Sequence, residues 1–310
     1  MQSENAFSKI LVPVDGSAQS VLAQELAALI AKKLKAKVTA IHVVAHPLMH
    51  PEMQKLFADY VPVGPGFASL PPTERVPKAH ASSMRDAISS EINDWYRQKG
   101  QQYIAEATSL FKEEGVLVDQ KLVEHADPAE TIIHEAQKGN YSLIVIGHNG
   151  QEEPESRLGS IAEKVSRHAQ TPVLIARQKN EISKILVPLD GSENAEKALP
   201  YAALLAQAAK AKITVLHVEE PHLAKVKPEV AREIGTRILS RAADKIKETK
   251  PEQKLESGHP AKMIIKTAKE GDYDLIIMGN KGHSTIERFL LGSVSDHVIH
   301  YTDRSVLLAK

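Results

Sequence analysis

A ten-residue stretch occurs twice in this chain, and that duplication constrains the fold more than any other feature. Ser8-Lys9-Ile10-Leu11-Val12-Pro13-Val14-Asp15-Gly16-Ser17 returns as Ser183-Lys184-Ile185-Leu186-Val187-Pro188-Leu189-Asp190-Gly191-Ser192, with Val14 against Leu189 the one change. The register of +175 holds into Ala36–Val43, matched by Ala211–Val218. Further on it falls to +132, where Pro128-Ala129 meets Pro260-Ala261 and Tyr141–Gly147 meets Tyr273–Gly279. The first copy therefore carries 43 extra residues (175 minus 132). Each copy exceeds 100 residues, enough to hold its own core, so the repeat is a duplicated domain rather than a solenoid. The expected domains are 1–177, with an excursion at about 47–95, and 178–310.

Within each copy, apolar strand-length runs alternate with helical patterns. Ile10–Val14 reads as a strand buried on both faces. Asp-Gly-Ser then turns the chain, with Ser17 or Ser192 as a helix N-cap. Leu22, Leu26, Leu29 and Ile30 recur at helical spacing. Strands follow at Val38–Val44, Leu143–Ile146 and Val173–Ala176, with a helix from Thr131 to near Gly139. Strands separated by helices pair in parallel through right-handed crossovers, so the class is α/β, doubly wound, twice.

The excursion holds seven of the 17 prolines between Pro47 and Pro77, which predicts mostly irregular chain. Beyond it Met84, Ile88, Ile92 and Trp95 step by four, four and three, predicting an amphipathic helix with Trp95 packed on its face. The excursion reads either as a lengthened surface segment packed on its own domain or as a lid or partner surface.

Charge and cysteine exclude several function classes. The 310 residues carry 39 Lys plus Arg and 39 Asp plus Glu, and residues 181–310 hold 20 and 18 of them, so neither half is a basic or acidic tail. That balance argues against nucleic acid or an anionic membrane as partner. No cysteine is present, which rules out disulfides, a thiol nucleophile and Cys-ligated metal. No apolar run reaches the ~20 residues of a spanning helix, and Met1–Asn5 lacks a basic leader; a soluble cytoplasmic protein is expected.

Doubly wound sheets bind ligands at the carboxyl ends of their strands, where the strand order reverses. After the fourth strand the second copy reads Gly279-Asn280-Lys281-Gly282, nine residues, then Gly292-Ser293-Val294-Ser295. Gly279 and Gly282 would let a ligand approach the backbone. Gly292-Ser293 opens a helix whose amides and dipole favour an anion. Ser293 and Ser295 add hydroxyls, and Lys281 and Arg288 add charge. The loop is neither a P-loop nor a Gly-x-Gly-x-x-Gly fingerprint.

Val-Pro-x-Asp-Gly-Ser at strand one, taken with Gly-x2-Gly-x9-Gly-Ser after strand four, resembles the universal stress protein family in its tandem form. The resemblance covers nearly the whole chain outside 47–95. It implies two Rossmann-like (adenine nucleotide α-hydrolase-like) domains, each a five-stranded parallel sheet ordered 3-2-1-4-5. It further implies ATP bound with a divalent cation, Mg or Mn. Carried onto this sequence, Pro188, Asp190 and Val218 would line the adenine and ribose, followed by Met278 and Gly279. Gly282, Gly292, Ser293, Val294 and Ser295 would hold the phosphates. The family pairs domains through the fifth strand, which here would join the two halves of one chain. A homodimer is a further option, and the implied role is a stress-response regulator.

The first copy departs from that pattern. Its equivalents are Pro13, Asp15, Val43, Gly147, Gly150, Gly159 and Ser160, but only eight residues separate Gly150 from Gly159, and these hold three acids and one base. A carboxylate ~6 Å from a phosphate charge costs roughly 0.7 kcal/mol in water-like dielectric and ~3 at an effective constant near 20. The expected ATP site is therefore the second copy, with the first weakened or vacant.

Other candidates carry less. Asp15 and Asp190 also suit an ordinary turn. His42 and His217 read as structural histidines, with a ligand or base role as the alternative. His46 and His50 are four apart, as a metal pair on a helix would be, but Pro47 and Pro51 argue against that helix. No nucleophile elbow, metalloprotease helix or adenylating loop occurs. Besides the ATP-dependent regulator, a nucleotide-independent scaffold and a slow ATP hydrolase remain open.

Overall fold

The computed structural model describes residues 7–45, 78–124, 126–150, 158–178, 181–281 and 291–310. The first half runs β1 (Lys9–Pro13), α1 (Ala18–Leu34), β2 (Lys37–Val44), α2 (Lys78–Glu113), β3 (Val118–Glu124), α3 (Pro128–Lys138), β4 (Leu143–Gly147), α4 (Ser160–His168) and β5 (Val173–Ala176). The second half repeats it: β6 (Lys184–Pro188), α5 (Glu193–Glu196), α6 (Ala198–Ala209), β7 (Lys212–Glu219), α7 (Pro221–Val226), α8 (Pro228–Lys245), β8 (Glu252–Ser257), α9 (Pro260–Glu270), β9 (Leu275–Gly279), α10 (Ser293–Tyr301) and β10 (Ser305–Ala309).

The duplication reaches down to local backbone chemistry. Ser17 and Ser192 each cap the following helix, accepting from the amides of Ser20 and Ala195. Lys35 and Lys210, which end α1 and α6, both adopt left-handed geometry at φ 54° and 58°. Lysine pays for that conformation in strain, and its occurrence at both equivalent places shows one backbone solution used twice.

The strands form a ten-stranded sheet in the order β3-β2-β1-β4-β5-β10-β9-β6-β7-β8. Each half has the 3-2-1-4-5 order with parallel pairing. The two expected sheets, however, are one sheet, joined where β5 runs antiparallel to β10 and Leu174 lies opposite Leu307. Burial explains why these strands meet. Val173–Ala176 and Ser305–Ala309 are buried along their whole length. The outer strands, VDQKLVE and EQKLES, are polar and partly exposed, and their charges discourage further strand addition.

A hydrophobic layer covers each face of the sheet, and each layer is continuous through both halves. On one face Phe7 packs edge-on against Tyr201 at 5.5 Å between ring centroids, linking β1's approach to α6. Helix α2 departs from its expected face. Its core-facing stripe is Gly100, Ile104, Ala107 and Phe111, whereas Trp95 is 53% exposed and meets Tyr96 and Lys99. Of the expected stripe Ile92 is half-buried and Trp95 is not covered, because spacing defines a face without saying what packs on it. The excursion up to residue 77 lies outside the described residues, as do the side chains of Met84 and Ile88.

Candidate functional site

The strand order reverses between β6 and β9, and the crevice beyond their carboxyl ends is built from three backbone turns. After β6, the Asp190 carboxylate accepts the Ser192 amide at 2.9 Å, an Asx turn that aims the chain into α5. The turn and lining readings of Asp190 are therefore compatible. Beyond β9, Gly279 lies against α5: an added Cβ would stand 2.8 Å from the carbonyl carbon of Asn194 and 2.9 Å from the Cα of Ala195. Gly147 meets Gln19 and Ser20 in the same way. These glycines serve helix–strand packing, a second demand on Gly279 beside the ligand approach expected of it. The third turn is α10, whose N-cap Gly292 has no side chain to bond the first-turn amides. The first intrahelical bond runs from Asp296 N–H to Gly292 O, so the amides of residues 293–295 point outward from the helix end.

Together these turns border a cavity of about 380 Å³. Pro188, Asp190, Val218, Met278 and Gly279 line it, as do Gly292, Ser293, Val294 and Ser295. Of the residues expected here, Gly282 lies outside the described residues, as do Arg288 and residues 151–157 of the first copy's acidic loop. One side is apolar, formed by Leu216, Met278, Ile264 and the aliphatic face of α8. The polar end holds Asp190, Lys281 and the start of α10. Such a volume and mixed lining suit a small molecule with a flat apolar part and an anionic part. Ser295 differs from expectation in one respect. Its buried hydroxyl donates to Gly279 O at 2.8 Å, so it ties α10 to β9 and leaves anion contact to the backbone amides.

His217 also lines the cavity, and its Nδ1 sits 2.8 Å from Leu189 O. His42 holds the same place, 2.6 Å from Val14 O. A carbonyl only accepts, so Nδ1 carries the proton in both rings. Burial lowers the pKa of His42, with the Val14 hydrogen bond and Asp15 opposing it. Both histidines brace the turn after the first strand of each half, as a structural role requires.

The first-half residues Pro13, Asp15, Val43, Gly147, Gly150, Gly159 and Ser160 occupy the corresponding strand ends and helix start. Asp15 accepts from both the amide and hydroxyl of Ser17. A Cβ on Gly150 would sit 3.1 Å from Asp15 Oδ2, and Gly159 starts α4 without a side-chain cap, like Gly292. An uncapped helix start thus exists in both halves. Sequence reasoning missed the α8 wall of Ala231, Ile234 and Ile238; its i, i+3, i+7 spacing was the available signal.

Among the described residues no group of three or more His, Asp or Glu could hold a metal ion, and no helix is long and apolar enough to cross a membrane. His46 and His50 lie outside them.

The sequence pattern of the universal stress protein family matches residues 6–59, 75–177 and 181–310. A universal stress protein of a Synechocystis strain is 29% identical over 178 residues, spanning 55% of this chain and 58%, less than two thirds, of its own length. The crystal structure of a universal stress protein from Archaeoglobus fulgidus shares the fold across 100% of this chain and 99% of its own, with a TM-score of 0.67 at 21% identity. A universal stress protein solved in complex with cAMP is 28% identical, covering 42% of this chain and 97% of its own, with a TM-score of 0.34.

Proposed function

The chain belongs to the universal stress protein family, and we propose that it is a cytoplasmic stress-response regulator that binds ATP in its second half. In this reading it works as two domains, 1–177 and 178–310, of which the second carries the nucleotide. One observation supports this above others: the cavity joins an apolar wall to an uncapped helix start beside a lysine. The adenine ring lies between Val218, Met278 and Ile264, where burial of its faces drives binding. The ribose meets Asp190. The triphosphate meets the amides of residues 293–295, which favour an anion through both hydrogen bonding and the helix dipole. Lys281 neutralises part of its charge. Mg or Mn arrives with the phosphate oxygens, since the described residues offer no carboxylate cluster of their own.

The charge that arrives at this site is felt at the junction of the halves. Lys281 acts electrostatically on Lys310, which is hydrogen-bonded to Ser166 of the first half. Nucleotide state thereby biases the junction, as a regulator requires.

Titration calorimetry with ATP and Mg, alongside thermal unfolding, tests the reading. Binding at one site per chain is expected, with stabilisation of about 2.7 kcal/mol at a ligand concentration of 100 Kd. No heat and no stabilisation would overturn it in favour of the nucleotide-independent scaffold.

A further inference from the structure

Among the described residues the two halves differ at the wall that closes the apolar end of the cavity. Gly100 in α2 and Gly235 in α8 mark the same helical position. A Cβ at Gly100 would meet His42 at 2.5 Å and Leu122 at 3.0 Å, and one at Gly235 would meet Leu255 at 2.6 Å and His217 at 2.8 Å. Counted from these glycines, Ala231, Ile234 and Ile238 of the second-half wall become Tyr96, Lys99 and Tyr103 in the first. The Tyr103 ring lies on Gly16, where a Cβ would stand 2.5 Å from its Cδ1, and packs edge-on to His42 at 5.4 Å. Gly16 directly follows Asp15, whose counterpart Asp190 borders the second-half cavity. The ring therefore stands at the place corresponding to the ribose and base end.

We propose that the first half is closed to nucleotide by its own aromatic side chains: Tyr103 occupies the base end that Ile238 leaves open in the second, and Tyr96 stands on the same helix at the position Ala231 holds in the second. The inference rests on the nucleotide reading of the second-half cavity. It assigns the closure to the wall, since the helix start is alike in both halves: Gly159 opens α4 and Gly292 opens α10, each without a side-chain cap. The half-buried ring, packed against the core and seated on Gly16, fills the space that a second planar group would need there.

Adenosine isolates the base end, because it carries no phosphate for the acidic loop to repel. The full chain and its Tyr96→Ala/Tyr103→Ile variant, which copies the second half, are titrated with adenosine by calorimetry. One site in the parent and two in the variant are expected. In the reciprocal Ala231→Tyr/Ile238→Tyr variant the parent's site is expected to vanish; this arm reads the same closure even if the first variant unfolds. Two sites in the parent, or one in a first-half variant that melts like the parent, would overturn the proposal. So would retention of the site in the reciprocal variant. A parent that binds none counts against the second-half reading alone if the first-half variant gains a site, and against both if it gains none.

Discussion

Lys310, the residue after β10, donates from Nζ to the backbone carbonyl of Ser166 in α4 at 2.6 Å. Its repeat equivalent Arg177, after β5, donates from Nη2 to the carbonyl of Ile299 in α10 at 2.7 Å. Each half thus places a cation on the last turns of the other half's final helix, where the dipole is negative. Alanine at either position should cost about 1.5–3 kcal/mol, the worth of a hydrogen bond involving a charged group. Urea unfolding would show it, and a loss below the error of the method would mean the contact is incidental.

Lys310 also gives the junction a pH dependence. Burial, and secondarily Lys281, depress its pKa to about 8, against ~10.4 in an unfolded chain. Between those values the unfolded state binds more protons, so this group's contribution makes stability rise with pH from about 8 to 10.4. Lys310→Met should flatten that rise. ATP near Lys281 should raise the Lys310 pKa. Binding at pH 8 would then take up protons, visible as a dependence of binding heat on the buffer's ionisation enthalpy and absent in the Met variant.

Lys281 should matter for phosphate and not for base. Lys281→Gln is expected to weaken ATP about tenfold, the scale of one lost charge-assisted hydrogen bond, and to leave adenosine affinity unchanged. Equal losses for the two ligands would show that the substitution distorts the cavity.

Gly279→Ala should destabilise the fold by about 1–3 kcal/mol through overpacking against Asn194 and Ala195. Gly147→Ala should do the same against Gln19. Since both glycines pack a helix, a fall in Tm without ligand is expected from each; a fall only in ligand affinity would leave close approach as the one role of Gly279.

Leu174 and Leu307 face each other across the antiparallel junction and are fully buried. Leu307→Ala should cost about 2–5 kcal/mol in one unfolding transition. Two separated transitions would show that the halves fold independently of their shared sheet.

Much of this molecule is written in its residues. The Asp-Gly-Ser repeats announced two capped helices, and the apolar run Ile10–Val14 announced a strand buried on both faces, which β1 is through Ile10, Leu11 and Val12. The strand ends where a ligand would bind followed from parallel α/β geometry, while most of the individual lining residues were implied by the family resemblance and then found bordering the cavity. The α8 wall escaped notice, since Ala231, Ile234 and Ile238 look like any core stripe. Trp95 misled in the opposite sense: spacing gives a face, but only the neighbouring elements decide whether that face is covered.

The sequence alone determined the duplication, the strand–helix alternation and the polar character of β3 and β8, since these depend on local pattern and side-chain chemistry. The tertiary structure decided that two sheets become one, that Lys310 and Arg177 exchange partners between halves, and that Tyr103 stands where Ile238 stands. Those outcomes depend on which surfaces meet from distant parts of the chain, and no local propensity encodes such a meeting.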